Sequence, residues 1–170
     1  GQGTDLNLYR YTINDFSDVT QDSWEFIGFY WGGPTLQGAG AYDPIRKVFV
    51  RTGTETQPID YFDLNFASPT HKDVVAFPVD LSGGFDFNRM VLAGMDCDPL
   101  RGAFMIWYGV GDVWRITPPT PIAQNGWTLQ RENVATGEIP PLNVGYGVLG
   151  KFKYIPNIDA FMALENPVQG

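Results

Sequence analysis

The sequence predicts an all-β fold of short antiparallel strands, and three observations support this prediction. Among the 170 residues are 20 Gly and 13 Pro, and 15% of the residues are aromatic. This composition suits many strands joined by tight turns. Short runs rich in β-branched and aromatic residues recur along the whole chain. No stretch keeps apolar residues at helical spacing for three turns without a Gly or Pro.

Eleven runs are predicted to be strands, and Gly- or Pro-containing segments separate several of them. Two of the runs, 8–12 (LYRYT) and 113–117 (VWRIT), alternate in polarity, which places one set of side chains on a core face and the other toward solvent. The predicted strands are 6–12, 24–29, 48–52, 59–65, 74–79, 90–95, 103–108, 112–117, 127–131, 148–154 and 160–164.

Three segments repeat one pattern: 42–49 (YDPIRKVF), 97–104 (CDPLRGAF) and 154–161 (YIPNIDAF). In each segment a strand ends at a Pro, and a Phe follows five residues after that Pro. Pro presets φ at the first corner of a turn, and an Asp before it can accept hydrogen bonds from the turn backbone. We therefore expect three β-hairpins, with intervals of 55 and 57 residues between their prolines.

Two further landmarks accompany the hairpins. The segments 8–12, 61–65 and 113–117 share the order apolar, aromatic, charged, apolar, polar. A Trp opens a strand at Trp24 and at Trp127. Each repeat therefore holds about four short strands, namely the Trp strand, the two hairpin strands and the alternating strand. Four antiparallel strands in a repeat of this length are typical of a β-propeller blade.

These hairpins and alternating strands resemble the repeats of kelch and galactose-oxidase-like β-propellers over nearly the whole chain. The resemblance implies a β-propeller made of four-stranded antiparallel blades, with repeat units at about 20–66, 72–118 and 126–170. The N-terminal strand at 5–13 then completes the last blade. We therefore expect residues 1–170 to form a single partial propeller with three blade repeats, the final blade being split between the N- and C-terminus.

The expected partner is a second copy of the chain or the remaining blades of a longer chain. Three blades are too few for a closed ring, which typically has 4 to 8. Two copies joined head to tail would make a six-bladed ring. We do not expect a monomeric closed propeller, because an open half-ring exposes blade faces and strand edges.

Charge and composition restrict the possible functions. The formal net charge of −8 argues against a nucleic-acid partner, and no apolar run approaches the ~18 residues needed to span a membrane. A single cysteine, Cys97, can form neither an intrachain disulfide nor a Cys-rich zinc site. No signal peptide is visible, and no cofactor or metal is predicted. Few Lys residues, many aromatics and an acidic balance suit a secreted or periplasmic bacterial protein.

Two polar clusters could carry chemistry. His71 with Asp73 could act as a general base or supply one metal ligand, but a solvated loop histidine is the favoured interpretation because no second His exists. Residues 96–98 (DCD) could be a metal or nucleophile cluster. Alternation separates Cys97 from its two neighbours, and Asp98 aligns with Asp43, so a packing cysteine and a turn-capping aspartate are favoured.

Aromatic residues could also bind a glycan. Trp31 lies in a Gly/Pro turn and could stack on a sugar ring, with nearby Asp or Asn side chains fixing the hydroxyls. The four other tryptophans, at 24, 107, 114 and 127, are expected to fill the space between blades. The candidate binding residues are Trp31, Arg46, His71, Asp73, Arg101 and Asn125.

No catalytic constellation stands out, so the sequence favours a non-catalytic binding or assembly module. The alternative is a carbohydrate-active enzyme, a polysaccharide lyase or glycoside hydrolase on the same fold. Convergence of His71, Arg46, Arg101 and several carboxylates on one pocket would favour the enzyme.

Overall fold

The computed structural model describes residues 6–30, 39–52, 59–65, 74–76, 92–109, 111–132, 137 and 148–164. These ranges hold twelve strands and three 3-10 helices of three residues each. The all-β prediction is confirmed, and all strand pairs are antiparallel. None of the helices in these ranges is long and apolar enough to cross a membrane.

The strands form two hairpins and two four-stranded sheets, and within the described ranges these do not close into a barrel or ring. The N-terminal hairpin is β1 (Leu6–Thr12) and β2 (Ser23–Tyr30); the C-terminal hairpin is β11 (Phe152–Ile155) and β12 (Ala160–Ala163). Sheet 1 has β3 (Gly40–Asp43), β4 (Val48–Thr52), β5 (Ile59–Asp63) and β6 (Val74–Ala76). Sheet 2 has β7 (Gly94–Asp98), β8 (Ala103–Trp107), β9 (Val113–Thr117) and β10 (Thr128–Arg131). The 3-10 helices are Val19–Gln21, Leu149–Lys151 and Pro156–Ile158.

Each four-stranded sheet begins at a Pro hairpin and takes its last strand from the segment that opens the next repeat unit. Thus β6 pairs with β5, and β10 pairs with β9. Strand β3 is not among the predicted runs, because its sequence (GAYD) has little apolar character. Gly40 is required there, because the Phe49 ring occupies the space that a Cβ on Gly40 would fill.

The three predicted Pro hairpins are confirmed and share one turn geometry. Four residues separate the paired strand ends, and the last of the four has a positive φ: 57° at Lys47, 62° at Gly102 and 46° at Asp159. The residue pairs that close the turns are Asp43 with Val48, Asp98 with Ala103, and Ile155 with Ala160. We call the three turns, 44–47, 99–102 and 156–159, turns 1, 2 and 3.

Sheets 1 and 2 pack through opposite faces. Counted from the Pro of its turn, sheet 1 contributes positions −3, +4 and +6 to the shared core, whereas sheet 2 contributes −4, −2 and +5. Side chains alternate between the two faces of a strand, so these two sets lie on opposite faces of equivalent sheets. The core residues are Ala41, Val48 and Val50 from sheet 1, and Met95, Cys97 and Phe104 from sheet 2.

Sheet 2 and the C-terminal hairpin also pack through opposite faces. Met105, at position +6 of sheet 2, packs with Phe152 and Phe161, which occupy positions −4 and +5 of the C-terminal hairpin. The Trp107 and Phe152 rings are 5.8 Å apart in this second core. Sheet 1, sheet 2 and the C-terminal hairpin therefore stack head to tail, each through the same pair of faces.

The first strands of these three units lie side by side. Strand β3 contacts β7, and β7 contacts β11. The Tyr154 backbone N–H donates to Asp96 Oδ2 at 2.9 Å, which ties β11 to β7. The contacts between successive units therefore include their first strands.

The four tryptophans within the described ranges divide into two groups. Trp107, Trp114 and Trp127 are buried between the packed units, as the sequence predicts. The same prediction is wrong for Trp24, which is 70% exposed. Trp24 lies on β2 and packs against Tyr11 of its own hairpin, with ring centroids 4.8 Å apart, instead of between two sheets.

Candidate functional site

Turn 1 is built around a buried carboxylate. Asp43 is fully buried, and its Oδ1 accepts hydrogen bonds from the backbone N–H groups of Ile45 (2.8 Å) and Arg46 (3.1 Å). Its Oδ2 accepts from Nη1 of Arg46 at 2.8 Å. The segment DPIR therefore supplies both the acceptor that caps the turn and the cation that neutralises that acceptor.

Turn 2 repeats this arrangement. Asp98 Oδ1 accepts from the backbone N–H groups of Leu100 (3.0 Å) and Arg101 (3.1 Å), and Nη1 of Arg101 donates to Asp98 Oδ2 at 2.6 Å. The turn-capping role predicted for Asp98 is thereby confirmed. Turn 3 has Ile155 and Ile158 at the two equivalent positions, so it lacks these two charged groups.

Each arginine also reaches the last residue of the next turn. A Cβ on Gly102 would fall on the Arg46 guanidinium, so Arg46 extends from turn 1 over turn 2. Arg101 extends from turn 2 to turn 3, where Nη1 and Nη2 donate to Oδ1 and Oδ2 of Asp159, each at 2.7 Å. The Tyr154 hydroxyl donates to the same carboxylate at 2.8 Å. The three turns therefore form one connected polar surface.

The bridge between turns 2 and 3 has a clear electrostatic effect. Hydrogen bonds from Arg101, and then from Tyr154, lower the pKa of Asp159 to about 2. The same bonds to Asp159 and Asp98 raise the pKa of Arg101. A carboxylate with this pKa stays ionised at neutral pH, so Asp159 is unsuited to donate a proton as a general acid.

An open groove of about 340 Å³ lies beside this bridge. Its lining combines turns 2 and 3 with side chains of β8, β9 and β12, among them Met105, Arg115 and Phe161. The Glu132 carboxylate in the groove is ion-paired to Arg115 at 2.9 Å, just as Asp98 and Asp159 are paired to Arg101. Across the described ranges, no group of three or more His, Cys, Asp or Glu side chains could hold a metal ion.

Cys97 directly precedes Asp98 on β7, and its side chain is buried in the core between sheets 1 and 2. Burial raises the pKa of its thiol to about 12, and the nearby carboxylates of Asp43, Asp96 and Asp98 act in the same direction. Because the thiolate is the reactive form of cysteine, this environment favours the packing role over a nucleophilic one.

The structure brings together some of the predicted binding residues. Arg46 and Arg101 lie in neighbouring turns, and Arg101 lines the groove. Asn125 is exposed in the β9–β10 connection, at the same end of sheet 2 as Arg101. Trp31, His71 and Asp73 lie outside the described residues. A binding role for all six residues stays a prediction.

Sequence reasoning missed two members of the site, Tyr154 and Asp159, and considered Asp96 only as part of a possible metal or nucleophile cluster. Asp159 aligns with Lys47 and Gly102 at the last position of the turn. This alignment indicates a positive φ at Asp159, but it does not identify the charged side chain that Asp159 binds. That partner, Arg101, is 58 residues away in the sequence. Only the packing of successive units brings these two side chains into contact.

Comparisons with known proteins assign no family to this chain. No protein-family model matches the sequence, and neither the curated proteins nor the solved structures contain a significant match to it.

Proposed function

We propose that this chain is a non-catalytic binding or assembly module built from β-propeller blades. In this proposal the blades complete a ring, six-bladed when the partner is a second copy of the chain. The remaining blades of a longer chain would serve the same purpose. The observation that carries the proposal is the head-to-tail stacking of sheet 1, sheet 2 and the C-terminal hairpin.

The packing faces support this interpretation over a sandwich of two sheets. A sandwich buries the inner faces of its two sheets and is then complete. Here sheet 2 is covered on both faces, by sheet 1 on one side and by the C-terminal hairpin on the other. Such a stack can be extended by further units at either end, as in a propeller.

The two ends of the stack support the proposal as well. Tyr42 occupies position −2 of sheet 1 and is 45% exposed, whereas its equivalents Cys97 and Tyr154 are buried between units. At the other end, Met162 occupies position +6 of the C-terminal hairpin and is exposed, whereas its equivalent Val50 is fully buried. Each end therefore presents the face that would pack against the other end of a second copy.

The charged residues near the groove support a non-catalytic role. Asp43, Asp98, Asp159 and Glu132 all form ion pairs with arginines of the chain. Carboxylates held in this way stabilise turns and contacts between units. They differ from the paired carboxylates of glycosidases, which must act on substrate from two sides.

Light scattering coupled to size-exclusion chromatography tests the proposal. We expect twice the mass of one chain, and Tyr42→Glu should shift the protein to the monomer because the new charge lies at the joint between copies. Ile45→Glu is the matched control, since Ile45 is exposed at the tip of turn 1 and outside the joint. Circular dichroism checks that both variants fold.

Two results would each contradict one part of the proposal. A monomer at all concentrations rules out assembly with a second copy. Release of soluble fragments from a polysaccharide panel by the purified chain rules out the non-catalytic role. Binding in a glycan array without such release would identify a ligand and agree with the proposal.

A further inference from the structure

We propose that the N-terminal hairpin of one copy pairs along β12 of a second copy, so that β11, β12, β1 and β2 form a third four-stranded sheet. This inference rests on the proposed function and specifies the contact between the two copies. It assigns a binding partner to the outer edges of β1 and β12 and to the exposed aromatic face of the N-terminal hairpin.

The N-terminal hairpin corresponds to the second half of sheet 2. Thr12 lies opposite Ser23 across β1 and β2, and Thr117 lies opposite Thr128 across β9 and β10. Ten residues connect the paired ends in both cases, 13–22 and 118–127. The strand sequences LYRYT and VWRIT also match in pattern. Strands β1 and β2 therefore have the structure of a third and fourth strand.

The C-terminal hairpin corresponds to the first half of a sheet. In sheets 1 and 2 the second strand pairs with a third, which places Phe49 opposite Phe62 and Phe104 opposite Ile116. Phe161 is the equivalent of Phe49 and Phe104, but among the described residues β12 pairs only with β11. An unpaired edge of this kind is a template for strand addition.

Sheet 2, whose second half matches the N-terminal hairpin in connection length, predicts the register between the two copies. Since Tyr11 is the equivalent of Ile116, it should lie opposite Phe161 of the other copy. Arg10 should then lie opposite Met162, and Tyr9 opposite Ala163. This register places the aromatic face of β1 on the same side as Phe161, which is the side that packs on sheet 2.

The exposed aromatic residues of the N-terminal hairpin support this pairing. Tyr9, Tyr11, Trp24 and Phe26 share one face of the hairpin and are between 42% and 70% exposed. The equivalents of Tyr9 and Tyr11 in sheet 2 are Trp114 and Ile116, which are buried against sheet 1. A contiguous exposed apolar face of this kind marks an interaction surface.

The open groove lies where the added strand would pack. The groove runs between β12, represented by Phe161, and the face of sheet 2 that carries Met105 and Arg115. A strand added beside β12 would project its tyrosines toward this face. The ring carbons would cover the apolar part, and the hydroxyls could bond to the charged rim.

Mixed chains with one introduced cysteine each test the register, in a Cys97→Ala background that removes the native thiol. Arg10→Cys chains and Met162→Cys chains are mixed and oxidised, and the disulfide-linked dimer is quantified. Directly opposed strand residues have Cα atoms about 4.5–5.5 Å apart, which a disulfide can bridge. The matched control mixes Tyr11→Cys with Met162→Cys. We expect about tenfold less product there, because a one-residue shift turns the side chain to the other face.

Three outcomes separate this inference from the proposed function. A cross-linked dimer from the Arg10→Cys and Met162→Cys mixture, with little from the control, supports it. A double-mass species that does not cross-link overturns this contact and leaves the assembly in place. A monomer, or a disulfide formed within one chain carrying both cysteines, overturns the contact between copies.

Discussion

Replacement of Asp43 by Ala should destabilise the protein strongly, because one buried carboxylate holds turn 1 together. The substitution removes two hydrogen bonds to backbone N–H groups and the ion pair with Arg46. A net 0.5–1.5 kcal/mol for each of the two backbone hydrogen bonds and 1.5–3 for the bond to Arg46 lead to a loss of about 2.5–6 kcal/mol. Asp43→Asn keeps one acceptor for the turn and should cost roughly 1–3 kcal/mol.

Urea unfolding followed by tryptophan fluorescence measures these changes as shifts of the midpoint, and thermal unfolding gives a second measurement. For a chain of this size, each kcal/mol corresponds to about 2–4 °C in Tm. Asp15→Ala is the matched control, because Asp15 also accepts hydrogen bonds from the backbone and hydroxyl of Ser17, but in an exposed loop. We expect the control midpoint to stay near that of the unmodified protein.

Two results would refute this reasoning. Equal midpoints for Asp43→Ala and Asp15→Ala would mean that burial of the carboxylate adds nothing to its turn-capping role. Equal midpoints for Asp43→Ala and Asp43→Asn would mean that the hydrogen bonds to the turn backbone contribute nothing measurable beyond the ion pair.

Three further predictions concern single residues. Gly102→Ala should lower the free energy of unfolding in urea by about 1–3 kcal/mol, because φ at this position is positive and the new Cβ would displace the Arg46 guanidinium. Gly150→Ala is the control: its Cβ would meet no neighbouring atom, so the urea midpoint should stay unchanged. Cys97 should react with a thiol reagent at pH 8 at least tenfold faster in urea than in the folded protein, because burial raises its pKa to about 12; equal rates would contradict this. Hydrogen bonds from Arg101 lower the pKa of Asp159 from 3.8 to about 2, so the contribution of this carboxylate to stability should be complete above pH 4 and disappear as the pH falls to 2. An Asp159→Asn variant that loses stability in parallel with the unmodified protein over this pH window would contradict the prediction.

Local signals were sufficient to predict the hairpins. Pro44 and Pro99 preset the first turn dihedral, and the preceding Asp residues bond to amides two and three residues further on. These interactions span a few residues, so the sequence carries all of them. The placement of Cys97 on the opposite face of its strand from Asp96 and Asp98 follows in the same way from alternation.

Non-local features escaped sequence reasoning. Trp24 and Trp127 are both predicted to open a strand, yet Trp24 is exposed and Trp127 is buried. The difference depends on whether another sheet covers the strand, and nothing near Trp24 in the sequence encodes that. The Arg101–Asp159 ion pair likewise depends on two turns being adjacent in space.

The sequence alone determined the all-β class, the antiparallel hairpins and their turns, because alternation, Pro and Asp act over distances of a few residues. Only the tertiary structure decided which strands share a sheet, which faces of the sheets meet, and how arginines of one turn reach the next. Those outcomes depend on burying apolar faces contributed by segments about 55 residues apart. The physical reason is that hydrophobic burial is non-directional and does not depend on sequence distance, so a repeat pattern specifies equivalent units without specifying which of them come into contact.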